Sequence, residues 1–366
     1  MRIINLIDNL SPVNFGIWNA ALATAPMLID RHNCKSYAWY PALEDAPQLS
    51  QVEQRSFTAF GRTQLLEALK QGDFSPADTL IVSHGCWQFP TRWGHALHKM
   101  GYKWLMVPHG MLEPWSMQQK RVKKLLYFHL IEKRLIIRAD AIRAVGTPES
   151  KNLKKLLNRD LVLIPNGIPL IDTPVPHKDH TNINYLFMAR LHHKKGVIPM
   201  VKAWIASSLA NNSKYSLTIA GPDDGELREL TTVLKQHAVS NIRYTGAVYN
   251  NKKEELLNNC HFYLLPSHSE GFPTSILEAM QYGLIPLITE GCNFPEAFDA
   301  GLAIKITPYL SDIQSGLEQT TKLTFEQINH WSSRASNFVN KNYNLQVIAE
   351  QQYKLYSVLM DTPGVL

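Results

Sequence analysis

The sequence has few cysteines and no long apolar run. These two features argue against several classes of protein. Its four cysteines (Cys34, Cys86, Cys260 and Cys292) are far apart and form no C-x-x-C pair, which argues against a zinc ribbon and against a small disulfide framework. The first apolar run ends before Asp8, too early for a signal-peptide core, and no later run reaches about 18 residues. We therefore expect a cytoplasmic chain with reduced thiols and no membrane span.

Three site signatures are also missing. The segment SPVNFGIW has one glycine, Gly16, where the dinucleotide fingerprint G-x-G-x-x-G needs three, and this disfavours a dehydrogenase. His192 and His193, with His177 and His180 upstream, have no carboxylate or thiolate at ligand spacing, and no D-x-D pair is present. We predict no metal and no cofactor. No nucleic-acid-binding module is visible either, so we expect no nucleic acid partner.

The length and the hydrophobic content suffice for two buried cores, since the chain has 366 residues of which 45% are hydrophobic. The net charge of +6 permits an anionic partner such as a nucleotide diphosphate, an anionic lipid or nucleic acid. The charge is concentrated in residues 120–138, a predicted helical stretch that interleaves basic and apolar side chains. Its basic residues are Lys120, Arg121, Lys123, Lys124, Lys133, Arg134 and Arg138. This stretch predicts either peripheral docking on the inner face of an anionic membrane or a solvated helix face, with equal weight.

Short β-branched and aromatic runs alternate with longer helical patterns, which predicts βα units and parallel sheets. In the first half the predicted strands are residues 2–7, 36–40, 79–84, 103–108, 141–145 and 161–165, and in the second half 184–190, 216–221, 242–246, 262–266 and 285–289. We predict two doubly wound domains, residues 1–168 and 182–345, joined by a proline-rich linker over 169–181. An amphipathic helix over 346–366 is expected to return to the first domain.

The strongest local pattern runs from Glu270 to Glu278 and reads strand, loop, helix, strand. Pro273 and Thr274 are predicted to begin the helix, with amides from about Thr274 and Ser275 available to a diphosphate. Gly271 lets the loop backbone approach a ligand closely. Glu278, one helical turn in, can accept hydrogen bonds from ribose hydroxyls. Either glutamate alone is more often a surface residue.

Other candidate residues follow strands as well. Arg190 and Lys195 come directly after the strand that begins the second domain, and their side chains suit phosphate oxygens. We expect them beside the Glu270 loop. In the first domain His109 follows a strand within KWLMVPHGMLEPW, and His84 follows another; either histidine is as often an ordinary loop residue. Gly16 lies where a backbone can approach a donor phosphate.

Five segments in this order resemble glycosyltransferase family 4: HGMLEPW, IPNGI, ARLHHKKG, LTIAGPDDG and the E-x7-E element from Glu270 to Glu278. The resemblance covers nearly the whole chain and implies the α/β GT-B architecture, in which two Rossmann-like doubly wound parallel-sheet domains face a cleft. Two departures stand out. The family's double-glycine loop is reduced here to PVNFG, and Gly110 follows His109 where an acidic residue or alanine is usual.

The resemblance also implies a chemistry and a role for each residue. Glu270 and His109 would be catalytic and lie by the transferred sugar. Glu278 would bind the ribose and Arg190 with Lys195 the diphosphate. The remaining donor-binding residues would be Gly16, Gly271, Phe272, Pro273, Thr274 and Ser275. Relatives of this kind retain the anomeric configuration by front-side attack, in which the departing phosphate helps to deprotonate the acceptor.

The function expected on this basis is metal-independent, retaining transfer of a hexose from a nucleotide diphosphate sugar. UDP is favoured and GDP comes next. The acceptor would be a saccharide or a lipid-linked saccharide in polysaccharide biosynthesis. Two alternatives stay open: a sugar-nucleotide epimerase of the same fold, which converts the donor without an acceptor, and a nucleotide-sugar-binding protein without catalysis.

Overall fold

The computed structural model describes residues 1–11, 15–43, 46–118, 121–171, 178 and 181–362, and the chain forms two compact units. The first unit comprises Met1–Pro169 together with Tyr343–Leu366, and the second comprises Leu170–Asn342. The first unit thus takes up the C-terminal helix. Most of the predicted linker lies outside the described residues, but Lys178 is described, and its ammonium donates to the carbonyl groups of Cys260 (2.5 Å) and Tyr282 (2.8 Å).

The first unit is built on a seven-stranded parallel sheet of order β3-β2-β1-β4-β5-β6-β7, which is doubly wound as predicted. Its strands are β1 (Arg2–Ile7), β2 (Lys35–Pro41), β3 (Val52–Phe57), β4 (Thr79–His84), β5 (Lys103–Val107), β6 (Ala141–Ala144) and β7 (Val162–Leu163). Its helices are α1 (Phe15–Leu22), α2 (Ala25–His32), α3 (Arg62–Gln71), α4 (Phe89–His98), α5 (Pro114–Gln118), α6 (Arg121–Tyr127), α7 (Lys133–Ile136), α8 (Thr147–Leu157) and the C-terminal α16 (Leu345–Asp361).

The second unit holds a six-stranded parallel sheet of order β10-β9-β8-β11-β12-β13. Its strands are β8 (Ile183–Met188), β9 (Tyr215–Ala220), β10 (Ile242–Tyr244), β11 (Phe262–Leu265), β12 (Ile285–Ile288) and β13 (Ile304–Lys305). Its α-helices are α9 (Val197–Ile205), α10 (Leu227–His237), α11 (Asn250–Asn259), α12 (Thr274–Gln281), α13 (Pro295–Asp299), α14 (Leu310–Thr320) and α15 (Phe325–Asn342). Two short 3₁₀ helices cover His193–Lys195 and Glu290–Cys292.

The central strands consist of residues whose side chains are buried on both faces of the sheet. In β11 and β12 every residue is buried, which is the near-continuous apolar pattern of a parallel sheet covered by helices on both sides. Every strand found by pattern is present, although several end one or two residues earlier than predicted. The edge strand β3, sequence VEQRSF, was missed because it is largely polar, and β13 was missed because it has only two residues.

The C-terminal helix α16 packs on α2 within the first unit. The rings of Tyr353 and His32 stack with centroids 3.6 Å apart, and Nε2 of His32 lies 3.0 Å from a carboxylate oxygen of Glu350. The hydroxyl of Thr24 donates to Gln352 at 2.7 Å. These contacts tie the end of the chain to its first 32 residues.

The predicted basic helix is interrupted. Lys120 lies outside the described residues, and between α6 and α7 the backbone forms a π-helical turn over Phe128–Glu132. Glu132 is fully buried there and accepts hydrogen bonds from the amide of Trp87 (2.8 Å) and the hydroxyl of Thr91 (2.7 Å). A π turn realigns the helix by one residue, which lets this carboxylate face inward. Across the described part of the chain, no helix is long and apolar enough to cross a membrane.

Candidate functional site

The strand order of the second unit reverses between β8 and β11, which are paired in parallel at its centre. Ligands of open α/β sheets bind outside the carboxyl ends of strands at such a switch point. The loop after β8 carries Arg190 and Lys195, and the loop after β11 carries Glu270. The two loops are directly bonded, because the amide of His268 donates to the carbonyl of Lys194 at 2.8 Å. The predicted neighbourhood of the two segments is therefore observed.

Lys195 and Glu270 form the central ion pair of this site. The ammonium nitrogen lies 2.7 Å from Oε1 and 2.6 Å from Oε2 of the carboxylate, so it contacts both oxygens. The side chains are only 16% and 10% exposed. The sequence assigned these residues separately to phosphate and to sugar, whereas the structure joins them.

The backbone around Glu270 is held from the loop after β12. The amide of Glu270 donates to the carbonyl of Gly291 at 2.7 Å, and the side-chain amide of Asn293 donates to the carbonyl of Glu270 at 2.5 Å. A Cβ on Gly291 would meet the carbonyl of His268. Sequence reasoning missed Gly291 and Asn293, because the loop after β12 contains no recognisable motif that would have marked them.

Gly196 permits the close approach of the two loops. Its φ of 70° lies in the left-handed region, and a Cβ there would collide with the carbonyl oxygen of Pro266. The glycine separates the 3₁₀ helix that carries Lys195 from α9. Only glycine adopts this φ readily and also leaves room for the carbonyl of Pro266. Gly196 therefore determines the direction from which the side chain of Lys195 reaches Glu270.

Helix α12 begins at Thr274 after Pro273, as predicted, and Gly271 and Phe272 form the half-buried bend before it. One expectation about this turn is wrong. The amide of Thr274 is not available to a ligand, because it donates to the carbonyl of Phe272 at 3.0 Å and closes the bend. Ser275 lies one residue further, and its hydroxyl is 2.8 Å from the hydroxyl of Tyr263, which also lies 2.9 Å from the carbonyl of Met188.

Glu278 faces a cation that the sequence analysis did not consider. The ammonium of Lys253, on α11, lies 2.6 Å from its carboxylate. Both side chains keep a quarter or more of their surface exposed, at 31% for Lys253 and 25% for Glu278. A carboxylate in this position has lone pairs left for further donors such as ribose hydroxyls.

Arg190 is the most exposed member of the predicted phosphate group. Its guanidinium donates to Asp224 at 2.7 Å, and the side chain is 55% exposed. Neighbouring Lys194 is half-buried, and burial lowers its pKa while Glu270 raises it. Arg190, Lys194 and Lys195 thus place three cationic side chains along one loop that ends next to Glu270.

In the first unit, His109 lies in the loop after β5 and contacts His84 at the end of β4. Nε2 of His109 is 2.9 Å from Nδ1 of His84, and Nε2 of His84 is 3.0 Å from Oδ1 of Asn5 on β1. These three strands are neighbours around the reversal of strand order between β1 and β4. Burial lowers the pKa of His109 to about 3 and that of His84 well below its ordinary value, with Arg143 adding to both effects.

The His109 loop is anchored by a buried carboxylate on α8. Glu149 accepts the amide of Gly110 at 2.6 Å through one oxygen and the amide of Val145 at 2.7 Å through the other. Burial raises the pKa of Glu149 to about 7, and these two donors oppose the shift. His109 has a φ of 53° and Gly110 a φ of 75°. A non-glycine residue held in the left-handed region is a strain that surrounding contacts must sustain.

Gly16, the remaining predicted donor contact, lies in the first turn of α1 and is exposed. A Cβ there would meet nothing within 4 Å, so close packing within the chain does not explain the glycine. The neighbouring Pro12, Val13 and Asn14 lie outside the described residues.

Within the described ranges, no group of three His, Cys, Asp or Glu side chains is arranged to hold a metal ion; His177 and His180 lie outside them. All four cysteines are buried and unbridged. A cavity of about 340 Å³ lies near the amino ends of β8, β9 and β10, lined by residues such as Asn184, Ser216 and Ile242. It is at the opposite end of the sheet from the Glu270 loop and contains no cluster of catalytic groups, so we assign it no role.

Part of the second unit matches a known protein family. Residues 172–323, which hold the Lys195–Glu270 pair, match the family described as glycosyl transferases group 1. A human relative, a subunit of phosphatidylinositol N-acetylglucosaminyltransferase, is 25% identical over 261 residues, which are 70% of this chain and 52% of the relative. A Campylobacter jejuni relative, N,N'-diacetylbacillosaminyl-diphospho-undecaprenol alpha-1,3-N-acetylgalactosaminyltransferase, is 31% identical over 176 residues, 47% of this chain and 43% of the relative. The chain thus spans about half the length of these curated relatives.

A solved structure extends the likeness of fold to nearly the whole chain. The Anabaena protein Alr3699/HepE, solved in complex with UDP and glucose, superposes with a TM-score of 0.76 at 16% identity, over 98% of this chain and 100% of that one. Both doubly wound parallel sheets are included in this match. The chain therefore has the GT-B fold, and residues 172–323 of its second unit resemble the group 1 glycosyl transferases.

Proposed function

We propose that the chain is a retaining, metal-independent glycosyltransferase that moves a hexose from a nucleotide diphosphate sugar to a saccharide or lipid-linked saccharide acceptor in polysaccharide biosynthesis. The observation that carries the proposal is the buried pair of Lys195 and Glu270 at the switch point of the second unit. The carboxylate can bind sugar hydroxyls and the ammonium can bind phosphate, and the two groups lie at hydrogen-bonding distance from each other. UDP is favoured as the nucleotide, and GDP comes next.

The names of the relatives support this choice of substrates. The human and Campylobacter proteins are named for transfer of N-acetylhexosamines, the first to phosphatidylinositol and the second to a diphospho-undecaprenol acceptor. The Anabaena structure of the same fold holds UDP and glucose. Lipid-linked acceptors and a UDP-linked donor are therefore the first to test.

The chemistry proposed for the site is electrostatic. Negative charge develops on the departing diphosphate as the glycosidic bond to the donor breaks, and preorganised cations stabilise it without reorganising. Lys195, Lys194 and Arg190 lie along the loop where that charge would develop, and the first turn of α12 adds its positive helix end. Glu270 would bind hydroxyls of the transferred sugar, Glu278 those of the ribose, and His109 the sugar from the first unit.

The direct test is incubation with a panel of UDP- and GDP-sugars and lipid-linked or free saccharide acceptors, with products identified by mass spectrometry. Glu270→Ala and Lys195→Ala should lose activity, and loss of a charge-assisted phosphate contact should cost roughly 1.5 to 3 kcal/mol in donor binding. Lys305→Ala is a matched control, since that lysine forms an exposed pair with Glu290 in the same unit. Full activity in both site variants would refute the assignment.

Three further readouts separate the finer parts of the proposal. The anomeric configuration of the product tests retention, and activity in excess chelator tests metal independence. Conversion of the donor without any acceptor would instead identify an epimerase. Donor binding with neither transfer nor slow donor hydrolysis would identify a binding protein without catalysis.

We also propose that the segment α6 to α7 docks on anionic membrane, where a lipid-linked acceptor is found. Its apolar side chains face outward at helical spacing: Val122 is 82% exposed, Leu126 61% and Leu130 53%. Arg121 and Lys123 are exposed beside them. This combination of an apolar stripe with flanking cations is typical of interfacial helices. Each cation near an anionic surface contributes about 1 kcal/mol.

Two of the predicted cations form hydrogen bonds within the first unit. The ammonium of Lys124 donates to the carbonyl of Ser116 at 2.7 Å, and that of Lys133 donates to the carbonyl of Leu156 at 2.8 Å. Both side chains are half-buried, so we expect them to contribute less to membrane binding than Arg121 and Lys123.

Sedimentation with vesicles of phosphatidylcholine, alone or with phosphatidylglycerol, tests this docking. The wild-type chain should bind only the anionic vesicles and should be released by salt. Leu126→Ser should weaken binding, whereas Val358→Ser, which changes an exposed valine on α16 of the same unit, should not. Binding that ignores lipid charge and salt would rule the proposal out.

A further inference from the structure

The three polar residues Asn5, His84 and His109 form a hydrogen-bonded chain across the carboxyl ends of β1, β4 and β5. Asn5 and His84 are 4% and 2% exposed. Buried polar groups of this kind are kept only when their hydrogen bonds are satisfied in one arrangement. The sequence analysis considered the two histidines separately and Asn5 not at all.

The orientation of the Asn5 side-chain amide is fixed by a backbone carbonyl on the neighbouring strand β2. Its side-chain nitrogen lies 3.1 Å from the carbonyl oxygen of Tyr37 and 3.2 Å from the hydroxyl of Ser36. A carbonyl oxygen only accepts hydrogen bonds, so the amide nitrogen must face Tyr37 and the amide oxygen must face His84. That oxygen also only accepts, and Nε2 of His84 therefore carries a proton.

The proton on Nε2 of His84 determines how His84 bonds to His109. The ring is fully buried, faces His109 and lies in the field of the buried Arg143, so it is neutral and its Nδ1 is a lone-pair acceptor. At 2.9 Å, Nε2 of His109 must donate to that lone pair. In a neutral imidazole with a proton on Nε2, Nδ1 is an acceptor. Among the described residues His84 is the sole hydrogen-bond partner of the His109 ring, so Nδ1 remains available.

We infer that Asn5 and His84 are positioning residues that hold His109 as a neutral hydrogen-bond acceptor, so that its Nδ1 binds a hydroxyl group of the donor's sugar. The inference rests on the proposed function for its ligand, and on the hydrogen-bond geometry and the burial of His84 for the tautomer. It excludes a role for His109 as a proton donor to the leaving group. The strained backbone of His109 and the anchoring of Gly110 by Glu149 hold the ring in the orientation that this acceptor needs.

The tautomer is tested without any ligand. Long-range ¹H–¹⁵N correlation spectra of the full chain, labelled at histidine and recorded at pH 7, should show the Nε2–H tautomer for both rings. His109→Gln assigns one signal by its disappearance. His98→Gln, which removes a histidine paired with Asp140 elsewhere in the unit, is the control and should leave both signals in place. A proton on Nδ1 of His109 in the wild-type chain would overturn the inference, whatever the activity.

Two variants test the positioning roles. Asn5→Asp places a carboxylate against His84 and favours its doubly protonated ring, which would then donate to His109 and move that proton from Nε2 to Nδ1. His84→Leu removes the partner altogether and should release the fixed tautomer. Because the two changes differ in charge and size, a folding defect in one leaves the other as a test. An unchanged His109 tautomer in a folded variant contradicts the positioning role.

Binding measurements link the tautomer to the sugar. We compare UDP-glucose with UDP, and GDP-mannose with GDP, on the wild-type chain and on His84→Leu. Loss of one neutral hydrogen bond should weaken binding of the nucleotide sugar about 3- to 10-fold and leave the nucleotide unchanged. Equal weakening of sugar and nucleotide would reduce His84 to a folding residue and overturn the inference. Failure of every nucleotide sugar to bind the wild-type chain would count against the proposed function, while the spectra still decide the tautomer.

Discussion

Replacing Lys195 by methionine is the sharpest perturbation of the second unit that the structure suggests. Methionine keeps the length of the side chain and removes the ammonium that contacts both carboxylate oxygens of Glu270. The carboxylate then lies 10% exposed without this cation. Breaking a buried pair by removing one partner is strongly destabilising, because the remaining charge is left uncompensated.

The size of the loss can be bounded. Broken buried pairs cost about 3–5 kcal/mol, because the remaining charge has lost its partner in a desolvated place. The 10% exposure of Glu270 gives that charge some access to water and reduces the loss. We therefore expect Lys195→Met to lower the free energy of unfolding of this unit by about 2–4 kcal/mol at pH 7.

Urea unfolding measures this loss, with hydrogen exchange of β11 identifying the transition of the second unit. Lys253→Met is the matched control: its pair with Glu278 has the same 2.6 Å length but exposures of 31% and 25%, so it should cost under about 1 kcal/mol. The double variant Lys195→Met with Glu270→Gln should recover part of the loss. A coupling energy below about 0.5 kcal/mol between the two substitutions would refute the reasoning.

Three further predictions concern stability and thiol chemistry. Gly196→Ala should cost at least about 2 kcal/mol more than Gly301→Ala in thermal unfolding: both glycines have positive φ, but only at Gly196 would the new Cβ collide with a carbonyl oxygen, that of Pro266. Because burial raises the pKa of Glu149 to about 7, the native state keeps a proton that the unfolded chain releases; the first unit should lose roughly 3 kcal/mol between about pH 4.5 and 7, and urea titrations of Glu149→Gln should lack this slope. All four thiols are buried with raised pKa values, so a thiol-specific disulfide reagent should modify none in the native chain and all four in urea; rapid modification of any thiol in the native chain would contradict their burial.

The fold was predictable because its signals are local and repeated. Strands such as β1 and β4 are continuous apolar runs buried on both faces, and their ends are marked by polar residues or glycine. The pattern failed at β3, where the edge of the sheet is half-solvated and the sequence is polar. It also failed to show the π turn after α6, which depends on a carboxylate finding the Trp87 amide some 45 residues away in sequence. Partners that distant leave no local pattern.

The candidate site was predictable in its location but not in its pairings. Residue types at strand ends indicated Arg190, Lys195 and Glu270, because parallel sheets bring those ends together. Nothing in the sequence indicated that Lys253 would face Glu278, since α11 and α12 belong to different βα units. The occupied amide of Thr274 was likewise hidden, because it depends on how the chain bends at Phe272.

The pairing of Lys195 with Glu270 reconciles roles that the sequence assigned to separate ligand groups. An ammonium has three hydrogen-bond donors, and the two carboxylate oxygens of Glu270 account for two contacts. In the proposed complex the third donor would reach a phosphate oxygen without breaking the pair, and the cation would lie between two anions that otherwise repel each other. A lone glutamate beside a diphosphate would be destabilised by both desolvation and charge. With Lys195 in place, the carboxylate would not face the diphosphate alone and could accept hydrogen bonds from sugar hydroxyls. The proposed sugar contact of Glu270 therefore depends on the same ammonium as the proposed phosphate contact.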